Sequence, residues 1–154
     1  MKETIFFSDS MAAVLAEALT AAGYELPVLG QVSEAEAEQE RVEVRVSGVD
    51  ELVPGNFTMR IDGEVVLVLG AALHSAAECE ALAVGVGDVV RAVLGQDWRY
   101  KPLPWPESWQ DEAERAQYEQ LPFVVLEMVV QPANVNAGSG WYECAVEYRA
   151  YVQF

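Results

Sequence analysis

Four glutamates, Glu34, Glu36, Glu38 and Glu40, stand at every second position of one short stretch. Paired carboxylates can act as acid and base, hold a cation or meet a basic partner. No basic residue or histidine stands among them. The stretch from Ser33 to Glu40 therefore reads as a solvated acidic loop whose chemistry is contact. The lone histidine, His74, would have to serve any Ser-His or Cys-His catalytic pair. It directly precedes Ser75, at the expected start of a helix, and reads as a loop or cap residue outside any constellation. Cys79 and Cys144 lie far apart, form no Cys-x-x-Cys pair and read as buried free thiols. No His-x-x-x-His or Cys/His cluster offers metal ligands. Gly85-x-Gly87 lacks the preceding strand-to-turn context and the third glycine of a dinucleotide fingerprint, so it reads as close packing of a helix on a sheet. No glycine-rich phosphate loop with a lysine is present. Glu127, set among apolar neighbours, would have a raised pKa if buried. No second group accompanies it, and exposure on an open sheet face is expected. No enzyme site, cofactor or metal follows from these residues.

Trp98, Trp105 and Trp109 crowd together with Tyr100, Pro102, Pro104 and Pro106. Such a cluster makes either a platform for a partner or an insertion folded onto its own domain. The candidate partner contacts are thus Glu34, Glu36, Glu38 and Glu40 on one segment, and Trp98, Trp105 and Trp109 on another.

The chain has 154 residues with 25 acidic and 9 basic, a formal net charge of −16. A surface that binds nucleic-acid phosphates needs Lys and Arg to release counterions, so sequence-specific nucleic-acid binding is not expected. The charge suits solubility, a basic protein partner or a surface that repels DNA. This length fits one domain, with about two-thirds of the unfolded surface available for burial. The longest apolar run, Val65 to Leu73, is about half of a membrane span. The N-terminus shows no apolar stretch long enough for a signal peptide, so cytoplasmic synthesis and no membrane are expected.

These residues need elements to position them. Met11, Val14, Leu15, Ala18, Leu19 and Ala22 repeat at helical spacing, with Asp9 or Ser10 as N-cap and Gly23 as the stop. Pro27-Val28-Leu29 suits a short strand or an extended connection. Val42, Val44 and Val46 alternate with polar residues as a half-buried strand, and Pro54-Gly55 marks a turn. Phe57 to Ile61 alternates again. Asp62-Gly63 suits a tight hairpin turn, the alternative being one long strand with a bulge at Gly63. Glu64 to Leu69 is apolar enough for burial on both faces. Ser75 with Glu78 forms a capping box for a second helix to Leu94, with Leu82, Val86, Val89, Val90 and Val93 on its apolar face and Gly95 as its stop. Residues 96–121 form a Trp/Pro-rich insertion, with a short polar helix from Glu107 to Gln120. Phe123 to Val130 is a strand, 132–140 a loop. The last strand alternates strictly, with Tyr142, Cys144, Val146, Tyr148, Ala150, Val152 and Phe154 on one face. Glu147 and Arg149 can pair on the other. The sum is a single α+β domain over 1–154, a mostly antiparallel sheet packed by two main helices.

This order of elements resembles the tail terminator and minor tail proteins of long-tailed bacteriophages. The likeness rests on the helix Met11–Ala22, the valine strand Val42–Val46, the helix Ser75–Leu94 directly after an apolar strand, and the hairpin Phe123–Phe154. Segment 96–121 departs from it as an insertion. The resemblance implies a structural, non-enzymatic subunit of a hexameric ring that joins the tail to the head and contacts other tail or head-completion proteins. A negative channel would let DNA pass without sticking. The competing expectation is an acidic binding or inhibitor module, immunity-like, that neutralises a basic partner as a monomer.

Overall fold

The centre of the structure is a pair of long strands that run past each other without a slip. In this computed structural model, which describes residues 2–53, 58–99, 101–104, 124–138 and 140–153, β3 (Thr58–Gly70) pairs antiparallel with β6 (Trp141–Gln153) from Thr58↔Gln153 to Gly70↔Trp141. β2 (Arg41–Val53) lies beyond β3, and β5 (Val124–Gly138) lies beyond β6. Two-residue strands, β1 (Val28–Leu29) and β4 (Lys101–Pro102), close the order β1-β2-β3-β6-β5-β4. All neighbours are antiparallel except β1 with β2. The helices α1 (Lys2–Ala21) and α2 (Ala76–Leu94) pack on one face of the sheet and on each other. The fold is α+β, as the residue pattern indicates.

α1 begins nine residues before the expected Met11. Phe7, Met11, Leu15 and Leu19 recur every fourth residue and are almost fully buried, so the apolar stripe runs through the region read as a cap. Asp9 and Ser10 misled the pattern because aspartate and serine favour helix starts. Here Ser8 Oγ donates to the Ile5 carbonyl (3.1 Å), and Ser10 Oγ to the Pro104 carbonyl (2.9 Å). The end is as expected. Gly23 is left-handed (φ 91°), its N–H bonds to Thr20 O and the Tyr24 N–H to Leu19 O, which satisfies the last carbonyls. Thr4–Ala21 is also long and apolar enough, by length and composition, to cross a membrane, contrary to the expectation that no stretch approaches one. In this fold its apolar stripe lies in the core shared with the sheet.

Asp62-Gly63 is not a hairpin turn. The alternative of one long strand holds, but the irregularity sits in β2, where the register slips between Val46↔Gly63 and Gly48↔Asp62. β2 itself runs on to Val53, through residues read as a turn region, while Pro54-Gly55 lies outside the described residues. The apolar run of β3 is buried on both faces, as expected. Val65, Leu67 and Leu69 join the helices, and Val66 and Val68 are buried on the far side.

α2 starts on the expected cap, with the Glu78 N–H donating to Ser75 Oγ (3.2 Å), and stops at Gly95. Val86, Val90 and Leu94 are buried, with Leu82, Val89 and Val93 packed partly against the core. Gly85 makes room for Tyr24, whose hydroxyl a side chain at position 85 would strike, so this close approach is to the segment after α1. Gly87 is buried over the sheet. Cys79 and Cys144 are buried free thiols.

The expected loop 132–140 is mostly strand, since β5 continues to Gly138 opposite Trp141. Slips between Val125 and Glu127 and between Val130 and Ala133 keep Val125, Met128 and Val130 in register with the core face of β6. Glu127 is exposed, as expected. β6 alternates as read, with Cys144, Val146, Tyr148, Ala150 and Val152 buried. Arg149 pairs across the sheet with Asp62 (2.8 Å), where the expectation was Glu147 on its own strand. The polar helix expected at Glu107–Gln120 lies outside the described residues.

Candidate functional site

Among the described residues no group of three His, Cys, Asp or Glu side chains could hold a metal ion. The features that stand out are the two rims of the sheet, its ion-paired open face and the acidic arm at one end.

β1 touches β2 only at Val42 and Glu43, and no other described strand lies on the outer edge of β2 from Val44 to Asp50. β4 likewise covers β5 only at Val124 and Val125, leaving the outer edge from Leu126 onward with no described strand beside it. A strand edge of this kind presents a row of N–H and C=O groups, a template for another strand. Four of the six exposed large apolar residues among those described belong to these two regions: Ile5 stands beside β2, Leu52 on it, and Val129 and Val135 on β5. A cleft of about 680 Å³ runs between the first half of α1 and the β2 edge, lined by Ile5, Ser8, Gln31 and Val44 to Val49. Gln31 Nε2 donates to Ser8 Oγ (3.0 Å) at its wall.

The face of the sheet turned away from the helices carries four of the chain's seven arginines, each paired with acids. Arg41 donates to Glu43 through Nε, and through Nη1 to the carbonyls of Ala37 (2.9 Å) and Gln39 (2.8 Å). Arg45 meets Glu43 (2.7 Å), Glu64 (3.3 Å) and Glu143 (3.6 Å). Arg60 pairs with Asp50 and, at 3.4 Å, with Asp62. Arg41 also lies over the Trp141 ring. Arg41 and Glu143 stand in register beside Val68 and Glu43 beside Val66, and these long side chains shield the two valines where no described helix packs. Burial alone would push the Glu43 carboxyl up, but the hydrogen bonds and charges of Arg45 and Arg41 outweigh it and hold the group below its ordinary 4.5. A depressed carboxylate contributes stability above its unfolded value, and that contribution is lost as pH falls through the folded one. Glu43→Gln is therefore expected to cost about 1–3 kcal/mol at neutral pH. It should also flatten the loss of stability on acidification below 4.5. Urea melts of both proteins at several pH values check this. Equal acid sensitivity in the two would show that Glu43 is not the group responsible.

The four glutamates do not form one patch. Glu36 to Glu38 make a 3-10 turn, with the Ser33 N–H donating to Glu36 Oε1 (3.1 Å) and the Glu36 N–H to Ser33 Oγ (3.2 Å). Glu34 and Glu38 are exposed. Glu40 is engaged elsewhere: it accepts the Gly70 N–H (2.9 Å) and lies 2.7 Å from His74 Nε2. His74 thus does accompany the acidic stretch, which corrects its reading as an isolated boundary residue. The spacing of thirty-four residues between them left no local signal. Both its ring nitrogens face carboxylates, Glu40 and, at 3.4 Å, Glu78. Neither is turned to a serine or cysteine. Trp98, expected at a partner contact, is a core residue, 4% exposed, with Nε1 donating to the Leu94 carbonyl (3.0 Å). Trp105 and Trp109 lie outside the described residues. The sequence missed the sheet rims as candidates, because which strand lies outermost follows from tertiary order. The signal available was the turn-rich composition of 132–138, which suits an edge strand.

No protein-family model matches the sequence, and no curated protein matches it. Among solved structures, the fold is similar to that of a chain in "Virion of native gene transfer agent (GTA) particle". The TM-score is 0.50 at 14% identity, over 99% of this chain and 97% of that one. The two chains share a fold across their lengths.

Proposed function

We propose that this protein is a structural component of a phage-like virion, a tail-terminator-like ring subunit at the junction of tail and head. The observation that carries the reading is the pair of sheet rims on opposite sides of one subunit that no other described strand covers, each strand with exposed apolar side chains. Two different edges that can meet head to tail make a heterologous interface, which closes into a ring when the rotation permits. The shared fold with a gene transfer agent virion chain supports the same reading. In this reading β2 of one copy lies near β5 of the next, other tail or head-completion proteins stack above and below, and the exposed Glu34 and Glu38 face the DNA path or a partner.

Light scattering over a concentration series tests it. The protein is expected to gain mass toward a closed oligomer, and the pair Leu52→Lys with Val135→Lys to weaken self-association at least about tenfold. Both side chains are exposed, so the fold should stay within about 0.5 kcal/mol. A strict monomer at every concentration, with no binding to purified tail tubes, would sink the ring reading. It would favour the acidic module for a basic partner instead.

A further inference from the structure

We propose that His74 is a pH-dependent latch that fastens the acidic arm, residues 33–40, to the end of β3 and the start of α2. The imidazole bridges the arm and α2. Nε2 lies 2.7 Å from Glu40 on the arm, and Nδ1 lies 3.4 Å from Glu78 in the first turn of α2. Glu40 also accepts the Gly70 N–H, so its carboxylate ties three segments at once. Tyr24 and Glu25, from the connection after α1, line the same shallow cleft with Leu69 and Leu82. Among the described residues, the charged groups that contact the ring, Glu40 and Glu78, and the one that shares its cleft, Glu25, are all acidic, with Tyr24 as a further titratable group in the cleft.

This arrangement suits one protonation state. An imidazolium donates from both nitrogens, whereas neutral imidazole has one N–H and must leave one carboxylate without a donor. The hydrogen bond to Glu40, foremost, holds the His74 pKa above its ordinary 6.5, and the contact with Glu78 adds to it. A histidine raised in the folded state contributes its attraction fully below the ordinary value and loses it as pH rises through the raised one. Both fastenings are thus made in mildly acidic solution, and on the alkaline side of 6.5 the charge attraction is lost and only one of the two carboxylates keeps a donor. That loss weakens the hold on Glu40, which still accepts the Gly70 N–H, while Arg41 still holds the Ala37 and Gln39 carbonyls. The arm loosens at Glu40 and stays anchored at Ala37 and Gln39.

His74 is the one histidine in the chain, so its ring signals need no assignment. Titration of the full-length protein by NMR, from pH about 5.5 to about 9, follows the ring together with the backbone amides of Gly70 and of the arm. The expected result is a His74 midpoint above 6.5 and amide shifts that follow the same curve. Amide protection at Gly70, corrected for intrinsic exchange, should fall about two- to fivefold across it. His74→Gln should abolish the inflection in the arm amides. Glu40→Gln should move the His74 midpoint back toward its ordinary value. The latch is overturned by a midpoint at or below 6.5, by Gly70 and arm amides that ignore the titration, or by an inflection that survives His74→Gln.

Discussion

Gly63→Ala is expected to destabilise the protein by about 3 kcal/mol or more, although it adds one methyl group. Gly63 lies in the middle of β3, buried between β2 and β6. A Cβ there would run into the backbone carbonyl oxygen of Arg45 and the hydroxyl of Tyr148. These two groups are themselves bonded, Tyr148 Oη donating to Arg45 O at 2.8 Å. That bond satisfies a carbonyl next to the β2 irregularity, and burial pushes the Tyr148 hydroxyl well above its ordinary 10.0, which keeps it a donor. A flexible side chain could swing away from the new methyl, but a carbonyl held in a strand cannot. The double variant Gly63→Ala with Tyr148→Phe should therefore recover only part of the loss. Urea denaturation of the wild type, both single variants and the double variant measures the coupling. A Gly63→Ala protein within about 1 kcal/mol of wild type would mean that β2 and β3 can separate at this point without cost.

Phe7→Ala should cost about 3–5 kcal/mol, whereas Ile5→Ala, two residues away, should cost less than about 1 kcal/mol. Phe7 is wholly buried, with its ring centroid 5.8 Å from that of Tyr148 at a 39° tilt. Ile5 is 38% exposed at the rim of the β2 cleft. The contrast between neighbours tests the early start of α1 directly. If residues 2–10 were an unpacked leader, both substitutions would be nearly silent. Thermal unfolding of the two variants separates these outcomes, and a small effect at Phe7 would remove the first three turns of α1 from the core.

Legibility followed the range of the physics. β6 was readable because one face meets the helices and the other does not, so burial stamps a period of two on the residues themselves. The α2 cap and the Gly23 stop were readable because they are local hydrogen-bond motifs. The start of α1 was not, since Ser8, Asp9 and Ser10 carry a cap signal that the buried Phe6 and Phe7 override. Nor was the far half of β5, where Pro132, Asn134, Asn136 and Gly138 read as a loop. Pairing with β6 and a register slip accommodate them, and both are tertiary facts. The candidate site fared likewise. The acidic arm was visible in the sequence, but its fastening to His74 and the open rims exist only once distant segments meet.

The position of β6 has a consequence for how the protein is made. This strand follows the other five in the chain, yet it lies between β3 and β5 in the interior of the sheet. Its thirteen pairings with β3 join residues on either side of a long intervening stretch of chain. A nascent polypeptide can form the β2–β3 hairpin and dock α1, but the inner edge of β3 stays bare until residue 153 clears the ribosome. Folding of the sheet is then expected to wait for β6 and to be slow for its size, because its central contacts close large loops. Throughout synthesis the apolar strand Val65–Leu69 is the segment most in need of a chaperone.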